Sequence, residues 1–366
     1  MRFFSTMHPT AANSPLNLLS EYPAWSKAGG DESAVILSTR VRIARNLAGE
    51  HFPYRMNQED RIRVMRGMAR VISTLNDSDQ GVFLSLAALA LVEISLLIER
   101  RTISPQLARD EKPRGVFAWR NLDRTMLICE EDHVRLTDIV PGLAPQKAYG
   151  NLQPVLAELS SQLQFSTHES LGFLTACPAN LGAAVRTSLF CHLPGLTLTG
   201  GMESLVSHAA DAGFTLRGFW GEGSDFLGNT FQLTDVPSLS HQPSEMLTRI
   251  ESLGQEVIER EALARIALQT ERPALLRDKI ARALAILQAC RALSGAETLS
   301  LFSAIRLGLD IGFIEGLSRE TISMLTFELG KAHLVWTATD EGIPDHRRIR
   351  RADRCREVFG KARFVG

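Results

Sequence analysis

The stretch Thr125–Arg135, TMLICEEDHVR, decides how this chain folds and where its chemistry lies. Its first four residues, TMLI, are apolar or β-branched, and such a run predicts a β-strand. Four ionisable residues then follow in a row, from Glu130 to His133, at the end of that strand. Because buried charges are costly unless they are paired, the cluster is either a solvated turn or a functional site. The rest of the chain decides between these two interpretations.

Segments that carry arginine next to predicted strands recur along the chain. They are Ser38-Thr39-Arg40-Val41-Arg42, Arg186-Thr187-Ser188 and Arg217-Gly218-Phe219-Trp220-Gly221-Glu222. Arg40 and Arg42 alternate, so on an extended chain they share one face. Two arginines on an exposed edge strand would give the same pattern, but the guanidinium fork suits bidentate phosphate binding better than lysine does. Carboxylates that face several arginines indicate a site that holds an anionic group beside a cationic one.

Composition limits the class of protein. The 366 residues are enough for roughly two domains. The net charge of −1 predicts neither nucleic-acid nor membrane affinity. Five irregularly spaced cysteines argue against a disulfide framework and favour a reducing, cytoplasmic location. No Cys/His spacing fits a zinc site. Residues 1–15 lack the apolar core of a signal peptide. The most apolar run, Val82–Ile98, is interrupted by Glu93, so it predicts a buried element and not a membrane span.

The remaining pattern predicts strands first and helices later. Asn57 is a candidate N-cap for a helix, and a second helix is predicted from Tyr149 to Leu163. Strands are predicted at Val35–Leu37, Gly172–Cys177, Phe214–Arg217 and Asn229–Thr234, and the last two flank a glycine-rich loop, which indicates an antiparallel pair. That loop lacks the lysine of a P-loop. From Pro243 onward the pattern is helical, with a domain boundary near 271–273.

Cys177 raises the separate question of a nucleophile, because Arg186, Ser188 and His192 follow it. The sequence supplies no third partner for a Cys–His pair, and a structural thiol is the alternative interpretation.

Four motifs, in order, resemble the guanidino-kinase superfamily, the ATP:guanido phosphotransferases. They are STRVR at 38–42, EEDHVR at 130–135, CPANLG at 177–182 with Arg186 following, and RGFWGEGS at 217–224. The last loop and the helical C-terminal part resemble the bacterial protein-arginine kinase branch (McsB). The resemblance runs from about residue 25 to about residue 357.

This resemblance implies a fold and a reaction. The fold is α+β: a loose tail at 1–20, a catalytic domain at 21–270 with an antiparallel sheet flanked by helices, and a small all-helical domain at 271–366 for dimerisation and phospho-arginine binding. The reaction transfers the γ-phosphoryl group of ATP, with Mg²⁺ held mainly by the phosphates, to arginine side chains of proteins, which marks them for Clp-type degradation. The alternatives are a catalytically weak phospho-arginine-binding regulator and a kinase of a small guanidine.

The resemblance also implies roles for individual residues. Glu131 and Asp225, beside Glu130, form the catalytic carboxylates, and Cys177 lines the substrate site. The implied ATP-binding residues are Ser38, Thr39, Arg40, Val41, Arg42, Arg101, Arg135, Arg186, Thr187, Ser188, Leu189, Phe190, Arg217, Gly218, Phe219, Trp220, Gly221 and Glu222. Arg347, Arg348, Arg351 and Ala352 form the implied phospho-arginine site, and no protein metal ligand is expected.

Four positions depart from the family pattern. Cys129 stands where asparagine is usual, Arg101 replaces an ATP-contacting histidine, Asp225 replaces glutamate, and Arg348 replaces aspartate. The implied partners are proteins with exposed arginine, a zinc-finger activator, a Clp ATPase or protease, and a second copy of the chain. The catalytic motifs begin too early to accommodate the extra domain that closes over small guanidines, so we expect an open pocket and a protein substrate.

Overall fold

A computed structural model describes residues 14–19, 22–27, 34–108, 112–218, 227–236, 242–337 and 345–366. The predicted glycine-rich loop at 221–225 lies outside these residues.

Eight antiparallel strands form the main sheet, in the order β2-β3-β4-β5-β1-β8-β10-β9. Two further sheets have two short strands each: the β6–β7 hairpin, and β11 paired with β12 from the C-terminal end of the chain. The strands are β1 Ile36–Arg45, β2 Gly81–Ser85, β3 Gly115–Trp119, β4 Arg124–Ile128, β5 Val134–Pro141, β6 Thr167–His168, β7 Gly172–Phe173, β8 Val185–His192, β9 Phe214–Arg217, β10 Thr230–Asp235, β11 Ile314–Glu315 and β12 Arg363–Phe364. The antiparallel pairing of β9 with β10 confirms the arrangement predicted from the strand–loop–strand pattern.

Helices pack on both faces of this sheet and also form the C-terminal body. They are α1 Gln58–Ser73, α2 Leu91–Glu99, α3 Pro105–Ala108, α4 Pro145–Gln162, α5 Pro194–Thr199, α6 Met202–Asp211, α7 Pro243–Glu271, α8 Pro273–Ala289, α9 Gly295–Asp310, α10 Arg319–Glu328, α11 Lys331–Trp336 and α12 His346–Phe359. Helices α1 and α4 pack on one face of the sheet, and α2 and α3 pack on the other. We call α8–α12 the helical body. The Asn57 cap is confirmed, because its side chain accepts a hydrogen bond from the Asp60 amide at 2.9 Å.

The two faces of the sheet differ because side chains alternate along each strand. Val41 and Ile43 of β1 point into an apolar core that they share with Met126 of β4 and Leu136 of β5. Helices α1 and α4 contribute their own apolar stripes to the same core. The intervening residues of the same strands therefore point to the opposite face, which carries the arginines.

One predicted strand is wrong over most of its length. Of Gly172–Cys177, only Gly172 and Phe173 are extended as a strand. Gly172 has a φ of +66°, and a side chain there would collide with the Gly182 backbone, so the chain turns. The Ala176 amide then donates a hydrogen bond to the buried Asp132 carboxylate at 2.8 Å. This bond holds the loop against residues 130–133, which we call the acidic turn, and not against the sheet.

The apolar run at 82–98 is likewise divided, into β2, a 3₁₀ turn and α2. Among the described residues, no helix combines the length and apolar character that crossing a membrane requires.

Candidate active site

Arginines from three neighbouring strands, β5, β1 and β8, meet on one face of the sheet. Arg42 of β1 lies directly opposite Arg186 of β8, and Arg40 lies opposite Ser188. Arg135 of β5 pairs with Ala44, which places it on the same face of the neighbouring strand. The alternation of Arg40 and Arg42 therefore predicted their common face correctly. We call Arg40, Arg42, Arg135 and Arg186 the arginine face.

The arginines of this face are partly buried and repel one another, and both effects lower the pKa values of Arg40 and Arg42. Burial, followed by the charges of Arg135 and Arg186, lowers the pKa of Arg40 to about 10. Burial and the neighbouring arginines hold the pKa of Arg42 well below its ordinary value. Among the described residues, the Nε atoms of all four arginines lack a hydrogen-bond acceptor. Because buried like charges repel one another and unpaired donors are costly, this arrangement suits a bound polyanion.

Arg101 adds a further cation from the end of α2. It has a φ of +60°, and its guanidinium lies 3.8 Å from the centre of the Phe190 ring. Burial and the charge of Arg40 lower its pKa to about 9. Together with Arg40, Arg42 and Arg135 it lines a pocket of about 100 Å³, which we call the arginine pocket.

The three carboxylates of the acidic turn do different things. Glu130 forms an ion pair with Arg135 at 2.7 Å. Asp132 is buried, and besides Ala176 it accepts a hydrogen bond from the Asn46 side chain at 2.6 Å. Glu131 is exposed to solvent. Partial burial, followed by the charges of Asp132 and Glu130, raises the pKa of Glu131, so it is the candidate proton acceptor of this turn.

His133 and Cys129 shape the turn. His133 is fully buried, its amide donates to the Asn46 side chain at 2.9 Å, and burial lowers its pKa to about 4. Cys129 has a φ of +57°, and its amide donates to the His133 carbonyl at 3.0 Å, which closes the turn. Asparagine adopts this left-handed conformation more readily than cysteine, so Cys129 adds backbone strain at this position.

Cys177 lies next to this turn, because the neighbouring Ala176 amide is bonded to Asp132. His192 does not pair with it. The His192 ring is buried and lies 2.9 Å from the Ser303 hydroxyl of α9. The structure therefore does not bring these two residues together as a nucleophile and its base.

Several residues that the motifs implied for ATP binding have side chains on the opposite face of the sheet. The Thr39 hydroxyl donates to the Gly142 carbonyl at 2.7 Å, and Val41 is buried in the core. Thr187 and Leu189 alternate with Arg186 and Ser188 and are also buried. In contrast, Ser38, Ser188 and Phe190 share the face of the arginines, and Arg217 lies opposite Gln232. Phe219, Trp220, Gly221, Glu222 and Asp225 lie outside the described residues, next to Gly218.

The arginines of the basic helix α12 differ in their exposure to solvent. Arg347 and Arg348 are exposed, whereas Arg351 and Ala352 are buried. Arg351 donates to the Leu329 carbonyl at 2.8 Å and to the Leu293 carbonyl at 3.4 Å.

Sequence reasoning missed two residues that organise the site. Asn46 bridges Asp132 and the His133 amide, and Asp235 accepts a hydrogen bond from the Thr187 amide at 3.0 Å. Burial raises the pKa of Asp235 to about 6, while the charges of Arg186 and Arg42 lower it. The signal for Asp235 was its position directly after the predicted strand at 229–234, whereas nothing in the local sequence marks Asn46.

The described part of the chain contains no cluster of three or more His, Cys, Asp or Glu residues that could hold a metal ion.

Comparison with known families gives two matches that together cover most of the chain. Residues 63–264 match the family model described as "ATP:guanido phosphotransferase, C-terminal catalytic domain". Residues 273–364 match the "Protein-arginine kinase McsB C-terminal domain".

Curated relatives are similar along nearly their whole length. The chain is 33% identical over 338 residues to a protein named protein-arginine kinase from Pelotomaculum thermopropionicum, covering 92% of this chain and 95% of that one. A protein-arginine kinase from Halothermothrix orenii is 32% identical, with 90% and 94% covered.

Solved structures share the fold. A duplicated taurocyamine kinase from Schistosoma mansoni superimposes with a TM-score of 0.57 at 20% identity, covering 74% of this chain and 42% of that one. A lombricine kinase superimposes with a TM-score of 0.57 at 19% identity, covering 70% and 71%.

Proposed function

The chain belongs to the protein-arginine kinase branch of the ATP:guanido phosphotransferases and is an ATP-dependent phosphotransferase, and we propose that the arginine face and the acidic turn carry out its reaction. In that reaction the γ-phosphoryl group of ATP moves to the side chain of a protein arginine. The observation that carries the proposal is the set of partly buried arginines on one face whose buried Nε donors have no acceptor among the described residues.

The arginine face would hold the triphosphate. Phosphoryl transfer depends mainly on positioning and on neutralising the charge of the transferred group. Arg40, Arg42 and Arg186 come from two paired strands, so the sheet fixes their separation before the nucleotide binds. Arg135 is oriented by its ion pair with Glu130. Arg217, at the end of β9, would complete the set beside the loop that carries Asp225.

Mg²⁺ fits this site only as an ion held mainly by phosphate oxygens. Mg²⁺ usually keeps several waters and takes few protein ligands in nucleotide sites. Glu130, the acidic residue that forms an ion pair with the arginine face, is already engaged by Arg135 at 2.7 Å. When bound, the ion would neutralise part of the phosphate charge.

Glu131 would act on the acceptor arginine. A guanidinium group has a pKa above about 12 and is a poor nucleophile until it loses a proton. A carboxylate can orient the planar guanidinium and accept that proton as the N–P bond forms. Glu131 is exposed and its pKa is raised, so it is both reachable by a protein substrate and a stronger base than an ordinary glutamate. We assign Asp225 to the same guanidinium as a helper and Cys177 to its lining.

The direct test is incubation with MgATP and a mixed protein substrate, followed by measurement of acid-labile phosphate on arginine. Arg186→Ala should lose about 2–4 kcal/mol of transition-state stabilisation, the scale seen for one preorganised donor. Arg282→Ala is the matched control, because Arg282 is an exposed arginine of α8 that pairs with the exposed Asp278 of the same helix. Near-normal turnover by Arg186→Ala would refute the role of the arginine face.

We also propose that Arg347 and Arg351 of α12 hold a phospho-arginine group in a second site. Arg351 is fixed by two backbone carbonyls, and Arg347 is exposed beside it. Such a site would also exist in a catalytically weak regulator, which is the second candidate function. Unchanged phospho-arginine binding in Arg351→Ala would rule out this role.

The family membership supports further proposals about cellular context. They are a homodimer, a cytoplasmic location, a zinc-finger activator, and delivery of marked proteins to a Clp ATPase or protease.

A further inference from the structure

A groove of about 670 Å³ runs along the surface of helix α1, and we call it the α1 groove. Apolar side chains that are only partly buried line it, namely Leu47, Ile62, Val71 and Leu163. Its charged lining residues are Glu50, Glu59, Arg63, Arg66 and Arg70. Apolar surface beside charged residues is typical of sites that bind another polypeptide.

The α1 groove begins at the acidic turn. Arg61, which precedes Ile62 on α1, donates to the Cys129 carbonyl at 2.8 Å. From the segment that follows β1, the Leu47 amide donates to His133 Nδ1 at 3.2 Å. These two bonds attach the lining of the groove to residues on both sides of the acidic turn. A polypeptide that brings an arginine to this turn can therefore continue into the groove.

The charges of the α1 groove differ along its length. Arg63, two residues after Arg61, is paired with Glu50 at 2.5 Å. Arg66 and Arg70 lie further along α1 and are exposed, and their guanidinium groups form no ion pair with another described residue. The groove therefore has a paired arginine beside the acidic turn and two unpaired cations towards its far end.

The same part of α1 contains residues that weaken a helix. Gly67 is exposed in the helix interior, where glycine is less favourable than alanine. A Cβ atom at Gly67 would meet no atom within 4 Å, so packing inside the chain does not require glycine there. Arg66 and Arg70 are like charges four residues apart, which also disfavours the helix. Together these residues suit a partner that approaches α1 closely and carries negative charge.

We propose that the α1 groove binds the segment of a protein substrate that flanks the acceptor arginine, and that it selects segments with apolar and acidic residues. The inference rests on the proposed function, because it assumes that the acceptor arginine meets Glu131. Residues 62–70 of α1 span about 12 Å, the length of about four residues of extended chain. The favoured substrate thus has its arginine at the acidic turn, apolar residues in the groove, and Asp or Glu beside Arg66 and Arg70.

The first test compares flanks around a single arginine. Labelled peptides carry either an acidic and apolar flank, on either side of the arginine and at increasing spacing from it, or a glycine–serine flank of the same length. Fluorescence anisotropy with the full chain and no nucleotide gives the dissociation constants. At least one acidic peptide should bind about three- to tenfold more tightly than the glycine–serine peptide, the sum for two exposed ion pairs.

The second test reverses the charge of the groove. The double variant Arg66→Glu, Arg70→Glu should lose the preference for the acidic flank in binding. It should also raise the KM of the acidic peptide about tenfold, with kcat and the KM of the glycine–serine peptide unchanged, because the reversed charges repel only the acidic flank. Arg282→Glu in α8 is the control, since Arg282 is an exposed helical arginine outside the groove.

The third test fills the groove without changing its charge. Gly67→Gln places a long polar side chain beside the apolar lining and should weaken the acidic and apolar peptide at least about threefold, with no effect on the glycine–serine peptide. Gly150→Gln is the matched control, because Gly150 is an exposed glycine inside α4 whose Cβ would also meet no atom within 4 Å. Thermal unfolding verifies that each variant is folded.

Three results would overturn the proposal. They are equal affinities of the wild type for both kinds of flank, a flank preference that persists in the double variant and in Gly67→Gln, and variants that change only the oligomeric state in size-exclusion chromatography. The last result would assign the groove to a contact between copies of the chain. Failure of the proposed function would look different: the flank preference would appear in binding, but no phosphate would reach the peptide arginine.

Discussion

At the scale of single residues, three adjacent carboxylates have three different surroundings. Glu130 is paired with an arginine, Glu131 is exposed, and Asp132 is buried under two hydrogen bonds. The sequence could locate this cluster but could not predict which carboxylate would be buried and which exposed. The burial of Asp132 depends on its hydrogen bonds from Asn46 and Ala176, which are far away along the chain.

Glu131→Gln should abolish phosphorylation of protein arginine while ATP still binds. Glutamine has nearly the same shape but cannot accept the guanidinium proton, whereas the arginine face, which we propose holds the nucleotide, is unchanged. Phosphate transfer and ATP affinity should be measured on the same preparation, with Glu203→Gln, an exposed glutamate of α6, as control. An active Glu131→Gln enzyme would overturn the assignment of the base.

Asp235 gives a prediction about pH and stability. Its folded pKa of about 6 lies above the ordinary value of about 3.9, so the folded state binds a proton more tightly than the unfolded state does. The wild type should therefore lose stability as the pH rises from about 4 to about 6, by up to about 3 kcal/mol from this residue. Asp235→Asn keeps the acceptor for the Thr187 amide and should remove that slope.

The measurement is urea unfolding of both proteins at several pH values. The two curves of stability against pH should diverge through this window, and the asparagine variant should be the more stable above it. Parallel curves would show that Asp235 ionises normally.

At the scale of elements, alternation was the most informative signal in the sequence. It placed Arg40 and Arg42 on one face, and the register of β1 with β8 confirms this. The same reasoning failed for Gly172–Cys177, because an extended pattern carries no information about a close approach such as that of Gly172 to Gly182. Tertiary contacts thus decided the conformation where local propensity was weak.

Helix α2 gives the prediction at this scale, because its C-terminal end connects the arginine pocket to the helical body. Glu99 accepts hydrogen bonds from the Ala332 amide at 2.8 Å, the His333 amide at 3.1 Å and the His333 ring at 2.8 Å. Arg101 follows two residues later. Glu99→Gln puts a donor where an acceptor is needed, so Arg101 should lose its fixed position and the KM for ATP should rise about five- to tenfold with little change in kcat.

Glu93→Gln is the matched control on the same helix. Glu93 is buried and accepts a hydrogen bond from the Ala90 amide at 2.8 Å, but its other partner shown is Ser14, which is not part of the helical body. It should lower the melting temperature without changing the KM for ATP. Equal effects of the two substitutions on KM would mean that Glu99 acts only through general stability.

At the scale of the whole molecule, the order of motifs along the chain predicted the family and the class of fold. It did not predict the order of strands, in which β1 lies between β5 and β8. That order brings Arg40, Arg42, Arg135 and Arg186 onto one face of three adjacent strands. The sequence also could not predict the cavity of about 330 Å³ that Trp25, His192 and Thr326 line together, since these residues are separated by well over a hundred positions along the chain.

The last prediction concerns the buried ionic network that joins the catalytic part to the helical body. Arg265 of α7 donates to Glu261 at 2.7 Å and to Asp310 of α9 at 3.0 Å. Glu261 in turn accepts the Gly195 and Leu196 amides of α5 at 2.8 and 2.9 Å. Removing one partner of a buried network leaves uncompensated charge and typically costs about 3–5 kcal/mol.

Arg265→Met should therefore lower the free energy of unfolding by about 3–5 kcal/mol at neutral pH, whereas the exposed Arg282→Met should change it by less than about 0.5 kcal/mol. Burial already raises the pKa of Glu261 and Arg265 lowers it, so the variant should raise that pKa further. A raised folded pKa favours the protonated, folded form, so part of the lost stability should return as the pH falls. Denaturant unfolding at neutral and acidic pH tests both points. If Arg265→Met lowers the free energy of unfolding by the same amount at every pH, then Arg265 stabilises the contact between the two parts by packing and not by its charge.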